Sequence, residues 1–313
     1  MTAPFRLAVQ IRDRLYRSGI LRARRLDHPV ISIGNLTVGG TGKTPLTILL
    51  AETFHEEGYK PVILSRGYRR QSKGTVVVSR GEGPLVSWKE AGDEPYLMAL
   101  RLSGTAAVVV GESRHAAGLV AQRENLGNLF LLDDGFQHRQ LHRDVDIVTV
   151  DPTEWLGAET LLPLGRWREP RSAITRAHAA CVQDVPAMPP LDLPIPQFKV
   201  TNVVSGVYFR GERVPVEDLH GKSIAAFAGI AKPERFFKTL EGLGLHIDQR
   251  VSFRDHHSFT DADLRGLQGD VPITTEKDNV RLEGRGDFFT LRVSANIAEL
   301  EALKTLILKR ISQ

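Results

Sequence analysis

Short apolar runs closed by polar or glycine-rich sequence set the rhythm of the chain's first half, at residues 30–33, 61–64, 106–110 and 129–132. Runs of this length, rich in Val, Ile and Leu and lacking alternation, read as strands buried on both faces. Leu46, Leu49, Leu50 and Phe54 follow the first run at helical spacing, and residues 112–123 follow the third as a helix carrying Arg114 and His115. Strands alternating with helices predict an α/β fold built on a parallel sheet. Gly92-Asp93-Glu94-Pro95 opens a further helix, with acids in its first turn, where proline is tolerated. Residues 75–79 read as a short edge strand and 146–150 as another strand, followed by a Pro/Gly/Trp loop over 151–170. Pro186, Pro189, Pro190, Pro194 and Pro196 then mark an interdomain connection. Beyond it, residues 198–209 form strands of a linker or hairpin, and a second α/β unit begins. Its elements are strands at 224–227, 271–275 and 288–293, a helix at 234–243, and an amphipathic closing helix at 297–311 with Leu300, Leu303 and Ile307 on its apolar side. The expected division is an amphipathic segment at 1–28, a first domain at 29–190 and a smaller α/β domain at 191–313.

The segment before the first strand carries Arg6, Arg12, Arg14, Arg17, Arg22, Arg24 and Arg25 against one acid, Asp13. On a helical wheel Phe5, Ala8, Val9, Ile11, Leu15 and Tyr16 share one side, Arg6, Gln10, Asp13, Arg14 and Arg17 the other, and Arg12 falls in the apolar arc and must snorkel. Such a helix either lies on a membrane surface or packs on its own domain with its arginines in water. The chain has 313 residues, a net charge of +4 and a single cysteine, Cys181. That excludes a disulfide framework and a cysteine-based zinc site, while anionic partners of several kinds fit the charge. No apolar run has the length of a membrane-spanning helix.

Chemistry enters with Gly34-Asn-Leu-Thr-Val-Gly-Gly-Thr-Gly-Lys-Thr-Pro45. Strand, glycine-rich turn and helix make the context of a phosphate-binding P-loop. Thr37, Val38, Gly39, Gly40, Thr41, Gly42, Lys43 and Thr44 are its nucleotide-binding residues. Lys43 would reach the terminal phosphates, and the Thr44 hydroxyl would ligate Mg²⁺. Thr37 stands where the general pattern has its first glycine. Leu129-Phe-Leu-Leu-Asp133-Asp134 supplies the companion pattern, a buried strand delivering a carboxylate beside the metal. Ser65-Arg66-Gly67-Tyr68-Arg69-Arg70 is a basic turn at a strand's carboxyl end, where α/β proteins bind ligands. A regulatory GTPase is a rival reading, but Thr275-Glu-Lys-Asp278 lacks the asparagine of a guanine-specifying motif. A soluble small-metabolite kinase is another.

Together with Asp93-Glu94, Asp133-Asp-Gly-Phe-Gln-His138, Arg168-Glu169-Pro170 and Asp255-His256-His257, these segments resemble the tetraacyldisaccharide 4'-kinase family of Gram-negative bacteria. The resemblance runs from the N-terminal helix to the closing helix, and the Thr37 departure is normal for that family. It implies a P-loop NTPase domain with a second, smaller α/β domain. It implies a kinase that transfers the ATP γ-phosphate to the 4'-hydroxyl of a tetraacyl glucosamine disaccharide 1-phosphate, giving lipid IVA. Mg²⁺ dependence, peripheral attachment to anionic lipid at the cytoplasmic face of the inner membrane, and no nucleic-acid partner follow from the same resemblance. By the same analogy Asp93 is the general base, paired with His256 (His257 the fallback), and a closing second domain completes that pair. Asp133, Asp134 and Glu169 match acids around Mg²⁺, and Asn35, Tyr68, Arg114, Gln137 and His138 match substrate contacts.

Overall fold

The computed structural model describes residues 2–185, 187–282 and 284–312, apart from the side chains of residues 2–5, 10 and 17. The expectations for Phe5, Gln10, Arg17 and Pro186, and for the terminal residues 1 and 313, therefore lie outside what is described. Contacts divide the chain into two units, Met1–Thr201 with Ala295–Gln313, and Asn202–Ser294.

The first unit runs α1 (Thr2–Arg17), β1 (Val30–Asn35), α2 (Lys43–Glu56), β2 (Pro61–Ser65), β3 (Val76–Ser79), α3 (Trp88–Ala91), α4 (Asp93–Arg101), β4 (Ala107–Val110), α5 (Arg114–Arg123), β5 (Leu129–Asp133), β6 (Val145–Val150), α6 (Pro152–Leu156), β7 (Ala179–Gln183) and the start of β8 (Gln197–Phe209). Its strands lie in the order β8-β7-β6-β1-β5-β2-β4-β3, all parallel except the edge strand β3. Alternate side chains of one strand go to opposite faces of the sheet, and both faces are covered. Ile31, Ile33, Ile63, Val108 and Leu131 pack with Leu46 and Phe54 of α2 and Met98 of α4. Val62, Leu64, Val109, Phe130 and Leu132 pack with Ala117 and Ala121 of α5.

The second unit continues through β8 into β9 (Glu212–Val214), β10 (Ile224–Ala228), α7 (Pro233–Gly242), β11 (Ile247–Ser252), α8 (Asp261–Arg265), β12 (Val271–Thr275), α9 (Glu276–Arg281) and β13 (Phe289–Ile297). Its strand order is β11-β10-β12-β13, parallel from β11 to β13, and β9 pairs back on β8 as a hairpin. Phe236, Phe237 and Leu240 of α7 close its core against Ile224, Ala226 and Ile273.

The last helix departs from expectation twice. It begins at Leu300, because Ile297 and the residues before it remain extended in β13; this is α10 (Leu300–Ile311). It also belongs to the first unit, not the second. Leu303 and Ile307 are fully buried in the same cluster as Ile31, Val145 and Ile147, so its apolar stripe covers a face of the first sheet. The break expected at 190/191 instead falls at 201/202, because Gln197–Val200 of β8 pair with β7 in the first sheet. Three strands absent from the sequence reading, β7, β9 and β11, complete the two sheets.

The helix over the first residues forms as the periodicity predicts, and its expected apolar side is covered only in part, with Leu15 and Tyr16 half-buried. Leu7 and Ile11 are exposed, whereas Val9 is buried. Arg12 does not snorkel; it pairs with Glu169 at 3.4 Å. No helix among the described residues is long and apolar enough to cross a membrane.

Candidate active site

β1 ends at Asn35, and residues 36–42 turn back to start α2. Gly42, at φ 79°, precedes the helix in the left-handed conformation. A Cβ there would lie 2.6 Å from Gln183 Nε2, so both backbone and space call for glycine. No side chain caps α2, which leaves its first N–H groups to an anion. The loop is braced from below: Asn35 Nδ2 donates to Thr41 Oγ1 at 2.9 Å, Thr41 Oγ1 and Thr149 Oγ1 share a hydrogen bond of 2.7 Å, and Gln183 Nε2 donates to the Thr41 carbonyl at 3.3 Å. It is braced from the side by residues 166–168. Val38 N–H donates to the Arg166 carbonyl at 2.8 Å, Arg168 N–H to the Leu36 carbonyl at 2.7 Å, and the Arg166 guanidinium to the Val38 carbonyl at 2.7 Å.

Two carboxylates meet this loop from β5. Asp133 is buried and accepts from Ser65 Oγ at 2.9 Å. Burial, with repulsion from Glu94 and Asp134, pushes its pKa up to about 7 against the pull of Lys43 and Ser65. Asp134, at φ 51°, turns the other way and meets Lys43 Nζ at 3.6 Å and Arg168 Nη1 at 2.7 Å. Burial raises its pKa, but Lys43 and Arg168 outweigh burial and hold the carboxyl below the usual range. Arg114 is buried, which lowers its pKa, while Asp133 and Asp134 support its charge. Gln137 donates to the Asn35 carbonyl at 2.9 Å and accepts from Arg168 at 3.3 Å. His138 is pushed down to about 4 by burial and by Arg114, Arg143 and Arg66. Asp93 is the first residue of α4, is 4% exposed, and accepts the Glu94 N–H at 3.0 Å. Tyr68 is exposed, with the Arg69 guanidinium 5.4 Å from its ring centre.

Lys43, Asp133, Asp134, Arg114, Gln137 and Asn35 therefore converge at the carboxyl ends of parallel strands, where such sheets bind ligands. Asn35 is fully buried and works on the loop from inside. Glu169 stands apart: its buried carboxylate is held by Arg176 at 2.6 Å and Arg12 at 3.4 Å. Among the described residues no group of three or more His, Cys, Asp and Glu is arranged to hold a metal. In the second unit His256 sits at φ 60°, its N–H donating to the Gly229 carbonyl at 3.1 Å. His257 stacks on Phe253 at 4.7 Å, and its Nε2 lies 3.0 Å from Asp263. Sequence reasoning missed Ser65, Thr149, Gln183 and Arg168 as site residues. The first three share one legible signal, a polar residue at or next to the carboxyl end of a parallel strand.

A glycine-rich loop between the first strand and its helix, a lysine aimed at a strand-end aspartate and a doubly covered parallel sheet define a P-loop α/β protein. The family model described as "Tetraacyldisaccharide-1-P 4'-kinase" matches residues 1–312. The chain belongs to that family. It is 41% identical over 297 residues to the tetraacyldisaccharide 4'-kinase of Geobacter metallireducens, covering 90% of this chain and 87% of that protein. It is 38% identical over 302 residues to the enzyme of the same name from Aquifex aeolicus, covering 96% and 93%. The crystal structure of LpxK from Aquifex aeolicus in complex with ATP superposes with a TM-score of 0.88 at 36% identity, covering 99% of this chain and 97% of that one.

Proposed function

We propose that this chain transfers the γ-phosphoryl group of ATP to the 4'-hydroxyl of a tetraacyl glucosamine disaccharide 1-phosphate. The observation that carries the reading is the meeting of Lys43 with Asp134 at the foot of an uncapped helix N-terminus. The names of its relatives supply the acceptor.

Mg²⁺ takes one or two protein carboxylates and fills its remaining positions with phosphate oxygens and water. The donor set fits. Asp133 is buried beside two further carboxylates, Glu94 and Asp134, and burial followed by their repulsion raises its pKa, so a hard dication there would be welcome. Asp133, Asp134 and the Thr44 hydroxyl are the proposed ligands. Glu169 does not fit, since two arginines already occupy it. When bound, the ion would spread the charge of the transferring phosphoryl group. The rest falls to the chain itself. Lys43 and the first turn of α2 hold the phosphates. Asp93 accepts the proton of the 4'-hydroxyl as its oxygen bonds to phosphorus and ADP departs. His256 is the histidine proposed to assist, with His257 the fallback; each meets an acid, His256 Nε2 lying 3.8 Å from Asp255 and His257 Nε2 3.0 Å from Asp263. Arg6, Arg14, Arg22, Arg24 and Arg25, exposed beside Leu7, Ile11, Ile20 and Leu21, favour peripheral attachment to the anionic lipid of the inner membrane's cytoplasmic face.

The test is phosphate transfer from ATP to the purified disaccharide lipid in detergent. Wild type should label the 4' position in a Mg²⁺-dependent manner, and Lys43→Ala or Asp93→Ala should each slow labelling roughly a hundredfold or more. ATP turnover without labelled acceptor would replace the kinase reading with a hydrolase. Labelling within a few-fold of wild type in Asp93→Ala would remove Asp93 as base.

A further inference from the structure

Glu169 is an acid with unexpected company. It is 2% exposed and its two oxygens are engaged separately, Oε2 by Arg176 at 2.6 Å and Oε1 by Arg12 of α1 at 3.4 Å. Arg176 continues the contact to Asp13 of α1 at 3.9 Å and lies 4.5 Å over the ring of Phe136. Asp13 also pairs with Arg139, whose guanidinium sits 4.5 Å over Tyr16. Five charged side chains thus join α1 to the segment that follows Asp134. A buried carboxylate between two guanidinium groups is an anchor, because removing either partner strands a buried charge. The same chain segment runs straight into the nucleotide site: Arg168, next to Glu169, grips Asp134, and the backbone of Arg166 and Arg168 holds the phosphate loop.

We propose that Glu169 is the seat of α1 and not an oxygen donor to the metal, and that as a positioning residue it transmits the seating of α1 to Asp134 and the phosphate loop. Arg12 is its counterpart on the helix. The proposal rests on the magnesium-dependent kinase reading for its second clause only; the seating of α1 is read without any metal.

Two measurements on the full chain separate the alternatives. Amide hydrogen exchange of α1 reads its seating, and Mn²⁺ affinity in the presence of ATP, followed by the electron paramagnetic resonance of the free ion, reads ligation. Glu169→Gln and Arg12→Gln should each speed exchange in α1 roughly tenfold, with β1 and β5 unchanged as the control for folding. The double variant should exchange no faster than the faster single one, since both remove the same contact. Because Arg12 reaches the site only through Glu169, Glu169→Gln and Arg12→Gln should shift Mn²⁺ affinity by the same amount within about twofold and less than Asp134→Asn does, and kcat should fall several-fold without a matching rise in KM for ATP. Arg12→Lys should restore part of kcat and of the exchange protection. Asp134→Asn is the reference, weakening Mn²⁺ with α1 undisturbed. A loss of Mn²⁺ affinity in Glu169→Gln tenfold greater than that in Arg12→Gln, or α1 exchange unchanged in Arg12→Gln, overturns the assignment. Wild-type chain that binds no Mn²⁺ with ATP would overturn the magnesium reading, and the exchange data would still decide the seat of α1.

Discussion

His138 illustrates how a single side chain carries a cost that the fold accepts for position. Its imidazole is crowded by Arg114, Arg143 and Arg66 and partly buried, so it stays neutral in the folded protein down to about 4, against 6.5 in the unfolded chain. Between those two values the unfolded state binds the extra proton, and stability therefore falls as pH falls through that window. Urea midpoints of wild type should drop on acidification below about 6.5, and His138→Gln should flatten that part of the profile. Equal slopes in the two proteins would show that His138 does not titrate differently on unfolding. The residue types of this site were legible in the chain, because glycine, lysine and aspartate at P-loop spacing carry their chemistry in their identity. The supporting contacts of Ser65, Thr149 and Gln183 were not. Each depends on which strand lies next to which, and strand order is written in no local pattern.

At the scale of elements, the buried strands β1, β2, β4 and β5 announced themselves by unbroken β-branched and leucine-rich runs. β7 (Ala-Ala-Cys-Val-Gln) did not, since its small side chains carry little β-propensity and it is a strand by virtue of its parallel neighbours β6 and β8. β11 (Ile-Asp-Gln-Arg-Val-Ser) was obscured by its polar alternate positions, which its burial pattern shows turned outward. α10 was visible as an amphipathic helix, while its address was not: a stripe of Leu303 and Ile307 says that something must be covered, not what. Leu303 is fully buried in the first unit's core. Leu303→Ala should cost about 2–5 kcal/mol, and the loss should appear in denaturation followed at the first unit, though the residue lies beyond the second in sequence. A loss below about 1 kcal/mol would mean that α10 is peripheral to that core.

Across the whole molecule, the second unit is an insertion. The chain leaves the first unit along β8 and returns to it along β13, so residues 202–294 interrupt a unit whose final helix comes last. A fragment ending at residue 201 should bind an apolar dye strongly and aggregate, because it lacks the residues that cover Ile31, Val145 and Ile147. A monomeric fragment with cooperative unfolding would refute this. The expectation of two consecutive domains failed on this point, since composition marks where a linker is proline-rich but not where the polypeptide re-enters an earlier layer.

That late return has a consequence for how the protein is made. Ribosomes deliver the amino terminus first, at roughly 5–20 residues per second, and domains ordinarily close as they emerge. Here the nucleotide-binding unit must wait, one flank of its sheet bare, through translation of the whole inserted unit, until the residues of α10 follow it. Its completion is thereby tied to synthesis of the insertion, and the waiting interval is where a nascent-chain chaperone would find its substrate.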